Sequence, residues 1–341
     1  MIAPISCARI SVAMATYNGE KYLQEQLESL ARQDLPPMEL VVTDDGSTDA
    51  TLEIVEAFAR SAPFKVRVSQ NEVRLGYADN FLKAASLCQE NLIAFCDQDD
   101  IWLEQKLSIC SRCFGDPDVM LVTHSGRVIA QSGILGSYFP NYSKMQVLDI
   151  STCDPIANWP GFAMVIKRTL LDISDWRSRP RMFYAHDRWL WLLAVSTGSV
   201  VRIPHVLTFY RQHGRNVCGL PEPRSLVEQM RSIASIVEYE GAADGELVCS
   251  HILSIAARQH PDRAERLQRA ANHLERRSKF HHLRDLIYKK ESDFPLRAIA
   301  FIRIFFGGGY LPDISRSRLG LRAAVKDTVL GVPRLHKLIS R

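Results

Sequence analysis

The sequence lacks any apolar run long enough to cross a bilayer as a helix. The longest late stretch, Ala298 to Phe306, is interrupted by Arg303 and falls short of the roughly 20 residues a span requires. The chain enters a strand pattern at Ile10-Ser11-Val12-Ala13-Met14 with no positively charged segment leading into a hydrophobic one, so export is not expected. It also lacks a glycine-rich phosphate loop after that strand. Ala15-Thr16-Tyr17-Asn18-Gly19-Glu20 is not one, which argues against a Rossmann oxidoreductase or a nucleotidyltransferase. No internal repeat or low-complexity tract is present, and no triad-like setting activates a serine or cysteine, so covalent catalysis is not expected. The eight cysteines, Cys7, Cys88, Cys96, Cys110, Cys113, Cys153, Cys218 and Cys249, are scattered through apolar segments, as suits a reducing cytoplasm. Cys110 and Cys113 form a CxxC with no second pair to complete a zinc site and are read as packing.

What is present is ample material for a core: 341 residues, 46% hydrophobic and 23% charged, with one large domain plus an appendage as the default. The net charge of +4 hides an asymmetry. Residues 1–257 carry 23 Lys and Arg against 30 Asp and Glu, whereas residues 258–341 carry 19 against 8. A basic, helix-patterned tail suits phosphate-rich partners, anionic lipid or nucleic acid, and equally a solvated helical face.

From residue 10 to about 123, short apolar strands alternate with amphipathic helices, the pattern of a mostly parallel sheet covered on both faces. Strands are expected at Ile10–Ala15, Glu39–Thr43, Lys65–Ser69, Leu92–Cys96 and Val119–Thr123. Leu23, Leu27 and Leu30 stripe the first helix, Leu52, Val55 and Ala59 the second, and Phe81, Ala84, Ala85 and Cys88 the third, all as core. Further on, a strand at Gly161–Ile166, a helix over His186–Thr197 and a strand at Val206–Tyr210 are expected. A helical tail follows from Glu222, with breaks near Pro261, Pro295, Gly307-Gly308-Gly309 and Pro333.

In such sheets ligands collect beyond the carboxyl ends of the strands, so the polar residues directly after a strand carry the functional signal. Three clusters qualify: Thr16-Tyr17-Asn18, the run Asp44 to Asp49, and Asp97-Gln98-Asp99-Asp100. The last places three carboxylates in four residues. A hard divalent cation, Mg²⁺ or Mn²⁺, would relieve their repulsion and share its remaining positions with a diphosphate; the alternative is a solvated acidic turn capping a helix from Ile101. Asp44-Asp45-Gly46-Ser47 serves as turn and cap chemistry, and a carboxylate there can also accept the imide N–H of a uracil or thymine.

These clusters, with Asn71, Gly76, Asn80 and the string Phe95-Cys96-Asp97-Gln98-Asp99-Asp100-Ile101-Trp102, resemble family 2 glycosyltransferases of the GT-A fold. The Asp-Gln-Asp-Asp-Ile-Trp string and Tyr210-Arg211-Gln212-His213-Gly214-Arg215-Asn216 are similar in particular to rhamnosyltransferase-like members that build bacterial surface polysaccharides. The resemblance covers about residues 8–220. It implies a nucleotide-sugar-binding half at 8–123 and an acceptor half at 124–220; the helical basic region at 221–341, read from pattern and charge, adds nothing to it.

Carried over by position, the resemblance implies that Thr16, Tyr17, Asn18 and Glu20 border the nucleotide. Asp45 contacts the base with support from Asp44, and Arg74, Asn80 and Gln98 belong to the same donor site. Asp97 and Asp99 match the metal motif, Asp99 as the direct ligand, and Asp100 orients the ribose or donor sugar. Asp187, in Ala185-His186-Asp187-Arg188-Trp189, matches the catalytic base, although His186 stands where most members carry Glu. His213 is placed at the metal or diphosphate, with Arg211 or Arg215 as alternatives for the phosphates, and Trp159, Gly161, His186 and Trp189 at the acceptor. The implied activity is metal-dependent, inverting transfer from a dTDP- or UDP-sugar to a glycan or lipid-linked glycan, in the cytoplasm and without nucleic acid. The rival is a catalytically inactive glycan-binding or scaffold subunit. The basic tail and the apolar segment Pro295–Phe306 suggest peripheral contact with an anionic membrane.

Overall fold

The computed structural model describes residues 9–130, 133–137, 143–157, 159–181, 184–214, 216, 239–289, 291–310, 324–325 and 327–328. They fall into two compact units. One lies within Met1–Asp149, Ile156–Ser178 and Tyr184–Leu220, the other within Ile150–Pro155, Arg179–Phe183 and Pro221–Arg341.

The first unit begins β1 (Ile10–Thr16), α1 (Glu20–Ala31), β2 (Glu39–Asp44), α2 (Thr51–Ala59), β3 (Lys65–Gln70), α3 (Tyr77–Leu87) and β4 (Leu92–Cys96). It continues through β5 (Ile101–Trp102), α4 (Lys106–Arg112), β6 (Val119–Ala130), β7 (Gly133–Ser137), β8 (Gln146–Leu148), β9 (Met164–Lys167), α5 (His186–Thr197) and β10 (Ser199–Arg211). Among the described residues the strands form one mixed sheet in the order β3-β2-β1-β4-β9-β6-β10-β5, with β7 paired to β6 and β8 to β10. β1, β2 and β4 are buried along their whole length, as strands covered on both faces must be. β1 runs parallel to both neighbours, with Val12 opposite Leu40 and Ala94. Their carboxyl ends therefore open at one edge, and the three polar clusters of the sequence emerge there together. β9 turns antiparallel against β4, pairing Ile166 with Ile93.

The second helix buries Val55 and Phe58 while Ala59 faces solvent, so its apolar stripe is shifted from the expected one. β6 runs to Ala130, past the expected end at Thr123, because parallel pairing with β10 buries the polar His124 and Ser125 that mask the pattern. The expected strand from Gly161 starts only at Met164, after a 3₁₀ turn at Gly161–Ala163. β10 begins seven residues before Val206, and its register shifts between Arg202 and Val206, where Pro204 has no N–H to donate. No helix starts at Ile101. Ile101 and Trp102 pair antiparallel with Phe209 and Thr208, and the helix waits until Lys106.

The second unit contains α6 (Tyr239–Gln259), α7 (Ala264–Tyr288) and α8 (Phe294–Phe306). The expected break at Pro261 is a 3₁₀ turn between α6 and α7. Pro295 does not break a helix but opens one, behind Asp293, whose carboxylate accepts the Leu296 N–H at 2.9 Å. Phe280, Ile287, Ala300 and Ile304 form the core where α7 meets α8, beside a buried Arg284–Asp327 pair at 2.8 Å. Among the described residues no helix is long and apolar enough to cross a membrane. Cys7, Cys218, Arg215 and Pro333 lie outside the described residues.

Candidate active site

A cavity of about 1360 Å³ opens in the first unit at the carboxyl ends of β1, β2 and β4. The loops after β1 and β2 are laced together before any ligand arrives. Asn18, held in the left-handed region at φ 47°, accepts the Thr48 N–H at 2.9 Å, and its own N–H reaches Ser47 Oγ at 2.9 Å. Glu20 accepts the Ala50 N–H at 3.0 Å while its N–H donates to Asp49 at 3.2 Å. Thr16, Tyr17, Asn18 and Glu20 all line the cavity.

Asp44 and Asp45 divide in function. Asp44 is fully buried, accepts the Ser47 N–H at 2.8 Å and is absent from the cavity wall. Asp45 lines the cavity, but its carboxylate already accepts the N–H groups of Leu75 at 2.7 Å and Gly76 at 2.8 Å and the Asn71 amide at 2.9 Å. That clamp fixes the turn into α3, where Gly76 takes a φ of 82° that a side chain would resist. Asn80 is buried, donating to Thr43 O at 2.9 Å. Arg74 lies over the Tyr17 ring at 3.9 Å and 4.0 Å from Asp45.

The acidic turn after β4 is built differently. Asp97 and Asp99 face the cavity, whereas Asp100 is fully buried and accepts the Arg211 N–H at 3.0 Å. Asp100 therefore anchors the end of β10 and is absent from the cavity wall, where a donor-orienting role was expected, and its Oδ2 is buried with no hydrogen-bond partner among the described residues. Burial, with the charge of Asp99 second, pushes the Asp97 carboxyl up to about 7. Burial also raises Asp99, against a 2.8 Å contact from His213 Nε2, and raises Asp100 further with help from Asp97 and Asp99. Gln98 is a two-point clamp: Oε1 accepts the Tyr17 N–H at 2.9 Å and Nε2 donates to Tyr17 O at 3.1 Å. It also packs against Gly19, where a Cβ would come within 2.3 Å of Oε1.

Beneath the turn lies Lys106, fully buried, its Nζ 2.6 Å from Phe162 O and 3.4 Å over the Trp102 ring. Nothing in the local sequence singles out Lys106, whose partners are set by packing against Trp102 and Phe162. Tyr22 and Glu25 were also unforeseen. Tyr22 stacks on His213 at 5.0 Å, and Glu25 pairs with Arg211, which in turn donates to Asp99 O at 2.9 Å.

Asp187 lines the same cavity from the second position of α5, where Ala185 and not Asp187 is the N-cap. The charge of Asp187 is close enough to add to the rise at Asp97. His186 stacks on Phe81 at 4.5 Å and closes over Gly161, where a Cβ would sit 2.2 Å from its Nε2. Phe81, expected as core alone, thus also lines the cavity, as do Tyr77, Pro160 and Phe162. Trp159 and Trp189 do not. Trp159 stacks on Trp191 at 6.1 Å and Trp189 packs edge-on against Tyr184, both in the core.

Among the described residues no group of three or more His, Cys, Asp and Glu side chains converges as a cage that would hold a metal alone. The two crowded, desolvated carboxylates of Asp97 and Asp99 in the cavity wall nonetheless fit a hard cation that draws its remaining oxygens from a ligand.

The sequence profile described as Glycosyl transferase family 2 matches residues 11–150. A dTDP-rhamnosyl transferase, RfbG, of Shigella flexneri is 30% identical over 223 residues, covering 60% of this chain and 73% of the relative. An uncharacterized protein of Mycobacterium tuberculosis is 26% identical over 214 residues, and the chain spans 60% of its length. Among solved structures, the Staphylococcus aureus TarS fragment 1–349 in complex with UDP-GlcNAc superposes with a TM-score of 0.52 at 18% identity, covering 96% of this chain and 92% of that one. By sequence the chain belongs to glycosyltransferase family 2, and its fold is the GT-A architecture.

Proposed function

We propose that the protein is a metal-dependent, inverting glycosyltransferase that moves a sugar, rhamnose first among candidates, from a dTDP- or UDP-sugar to a hydroxyl of a glycan or lipid-linked glycan in surface polysaccharide synthesis. The observation that carries this is the meeting of Asp97, Asp99 and Asp187 in one cavity whose other side is the laced β1 and β2 loops. Residues 8–123 hold the donor and 124–220 the acceptor, with 221–341 a helical basic region in peripheral contact with the membrane that carries lipid-linked acceptors.

Asp187 takes the proton of the acceptor hydroxyl as that oxygen attacks the anomeric carbon, the bond to the nucleoside diphosphate breaks on the opposite side, and configuration inverts. Mn²⁺ or Mg²⁺, held by Asp99 and Asp97 with His213 alongside, would neutralise charge on the leaving diphosphate. Thr16, Tyr17, Asn18, Glu20, Asp45 and Arg74 border the nucleotide, while Gln98 keeps Tyr17 in register with the acidic turn. Gly161 and His186 shape the acceptor side.

The rhamnose assignment draws on the relative named a dTDP-rhamnosyl transferase and on the apolar rings of Phe81 and Phe162 in the cavity wall. Such a wall suits the methyl group of a 6-deoxy sugar better than a hydroxymethyl, whose hydroxyl would be buried unpaired. The test is donor turnover with dTDP-rhamnose and UDP-GlcNAc, each with Mn²⁺ and with EDTA. Turnover of dTDP-rhamnose that EDTA abolishes is expected. Metal-independent turnover would remove the cation, and a preference for UDP-GlcNAc would remove the sugar assignment.

A further inference from the structure

We propose that the outer face of α8 docks onto an anionic bilayer and lies in its interfacial plane. This deepens the membrane contact proposed above and rests on none of the catalytic assignments. One side of α8 is used within its own unit, through Arg297, Ala300 and Ile304, which are buried. The other side presents Phe294, Leu296, Ile299, Ile302, Phe305 and Phe306 at 60%, 41%, 48%, 50%, 58% and 82% exposure. The only charged side chain among the exposed residues of this helix is a cation, Arg303.

A soluble surface rarely leaves so much apolar surface open on one helix, and Ile299, Ile302 and Phe306, spaced by three and four residues, share one face. With 13 residues the helix is about 20 Å long, too short to span a bilayer but long enough to lie along one. The choice of an anionic partner follows from charge. Residues 258–341 carry 19 Lys and Arg against 8 Asp and Glu, and Arg303 on the stripe itself can reach phosphate head groups while its stem stays among the acyl chains.

The test is co-sedimentation of the full chain with phosphatidylcholine–phosphatidylglycerol vesicles and with pure phosphatidylcholine vesicles. Stronger binding to the anionic vesicles is expected. Ile299→Ser combined with Ile302→Ser should lower it by at least about tenfold, and Arg303→Ala by about fivefold, with unchanged circular dichroism. Phe306→Ser, at the most exposed position, keeps the question open to measurement if the double variant fails to fold. Equal binding to both vesicle types, or wild-type binding by the stripe variants, would overturn the proposal. So would a wild-type dimer that the stripe variants dissolve, because the face would then be covered by a second copy. Transfer to a soluble acceptor should persist in these variants. Its absence in the wild type would strike the proposed activity and leave the vesicle result standing.

Discussion

Two acidic clusters stand at the same edge of the sheet and are built on opposite principles. After β2, every carboxylate has donors: Asp44 takes the Ser47 N–H, Asp45 takes two backbone N–H groups and an amide, and Asp49 takes both donors of Thr51. Although burial works against it, the Asp49 carboxyl is held below its ordinary value by the bonds from Thr51 and Glu20. After β4, Asp97, Asp99 and Asp100 are desolvated beside one another and all are pushed up. The first set is satisfied within the chain, whereas the second is crowded and desolvated, a state that a bound cation would relieve.

The difference predicts opposite signs for two alanine substitutions. Asp99→Ala should abolish turnover and Mn²⁺-dependent donor binding, yet leave the metal-free protein as stable as before or more so, because it removes one of the crowded charges. Calorimetry and a donor-hydrolysis assay on one preparation check both halves. Retained activity in EDTA would erase the contrast. Asp187→Asn keeps size and removes basicity, so transfer should fall by roughly 10²–10⁴-fold while donor affinity persists. Lost nucleotide binding, or a near-normal rate, would move the base elsewhere, with Asp172, Asp175 and His186 next in line.

Asp45→Ala sits on the other side of the comparison. It leaves the Leu75 and Gly76 N–H groups and the Asn71 amide without their acceptor, and should cost about 1–3 kcal/mol of stability, with donor affinity falling as a consequence. Denaturant unfolding measures the first effect and donor titration the second. Unchanged stability would mean that water replaces the carboxylate and that Asp45 is free for the base alone.

Much of this was legible before the structure. β1, β2 and β4 are nearly continuous apolar runs that only a doubly covered sheet can bury, and a sheet of that kind tells where to look for the site. The limits came from partners distant in sequence. Nothing local distinguishes Asp99, which meets His213, from Asp100, which is spent on the Arg211 backbone 111 residues away. Trp159 and Trp189 read equally well as sugar platforms or as core, and only packing against Trp191 and Tyr184 decides for the core. Phe81 lay in an apolar stripe and proved to be both core and cavity wall, because α3 ends one side of the pocket.

A raised carboxyl does not by itself mark a site, and the helical unit supplies the control. Glu246 is buried, accepts Arg277 Nε at 3.1 Å through Oε1, has no hydrogen-bond partner for Oε2 among the described residues, and is pushed by burial up to about 7. Asp154 raises it further and Arg277 lowers it, while His281, 3.7 Å away, is itself driven by burial down to about 3. Between pH 4.5 and 6.5 the folded chain holds a proton on Glu246 that the unfolded chain has released, so this group loses stability as pH rises. Over the same interval the unfolded chain holds a proton on His281 that the folded chain has refused, so that group gains stability as pH rises. The two slopes oppose one another, so this pair together should contribute almost no pH dependence there. Glu246→Gln keeps an oxygen for Arg277 and removes one slope only. Relative to the wild type, the variant should then lose stability on acidification from pH 6.5 to 4.5 by up to about 1.4 kcal/mol per pH unit. Urea unfolding across that range measures it. No difference between the slopes of wild type and variant would show that Glu246 is ionised in the folded protein, and that the burial separating the acidic turn from the satisfied loop does not raise a carboxyl when an arginine is at hand.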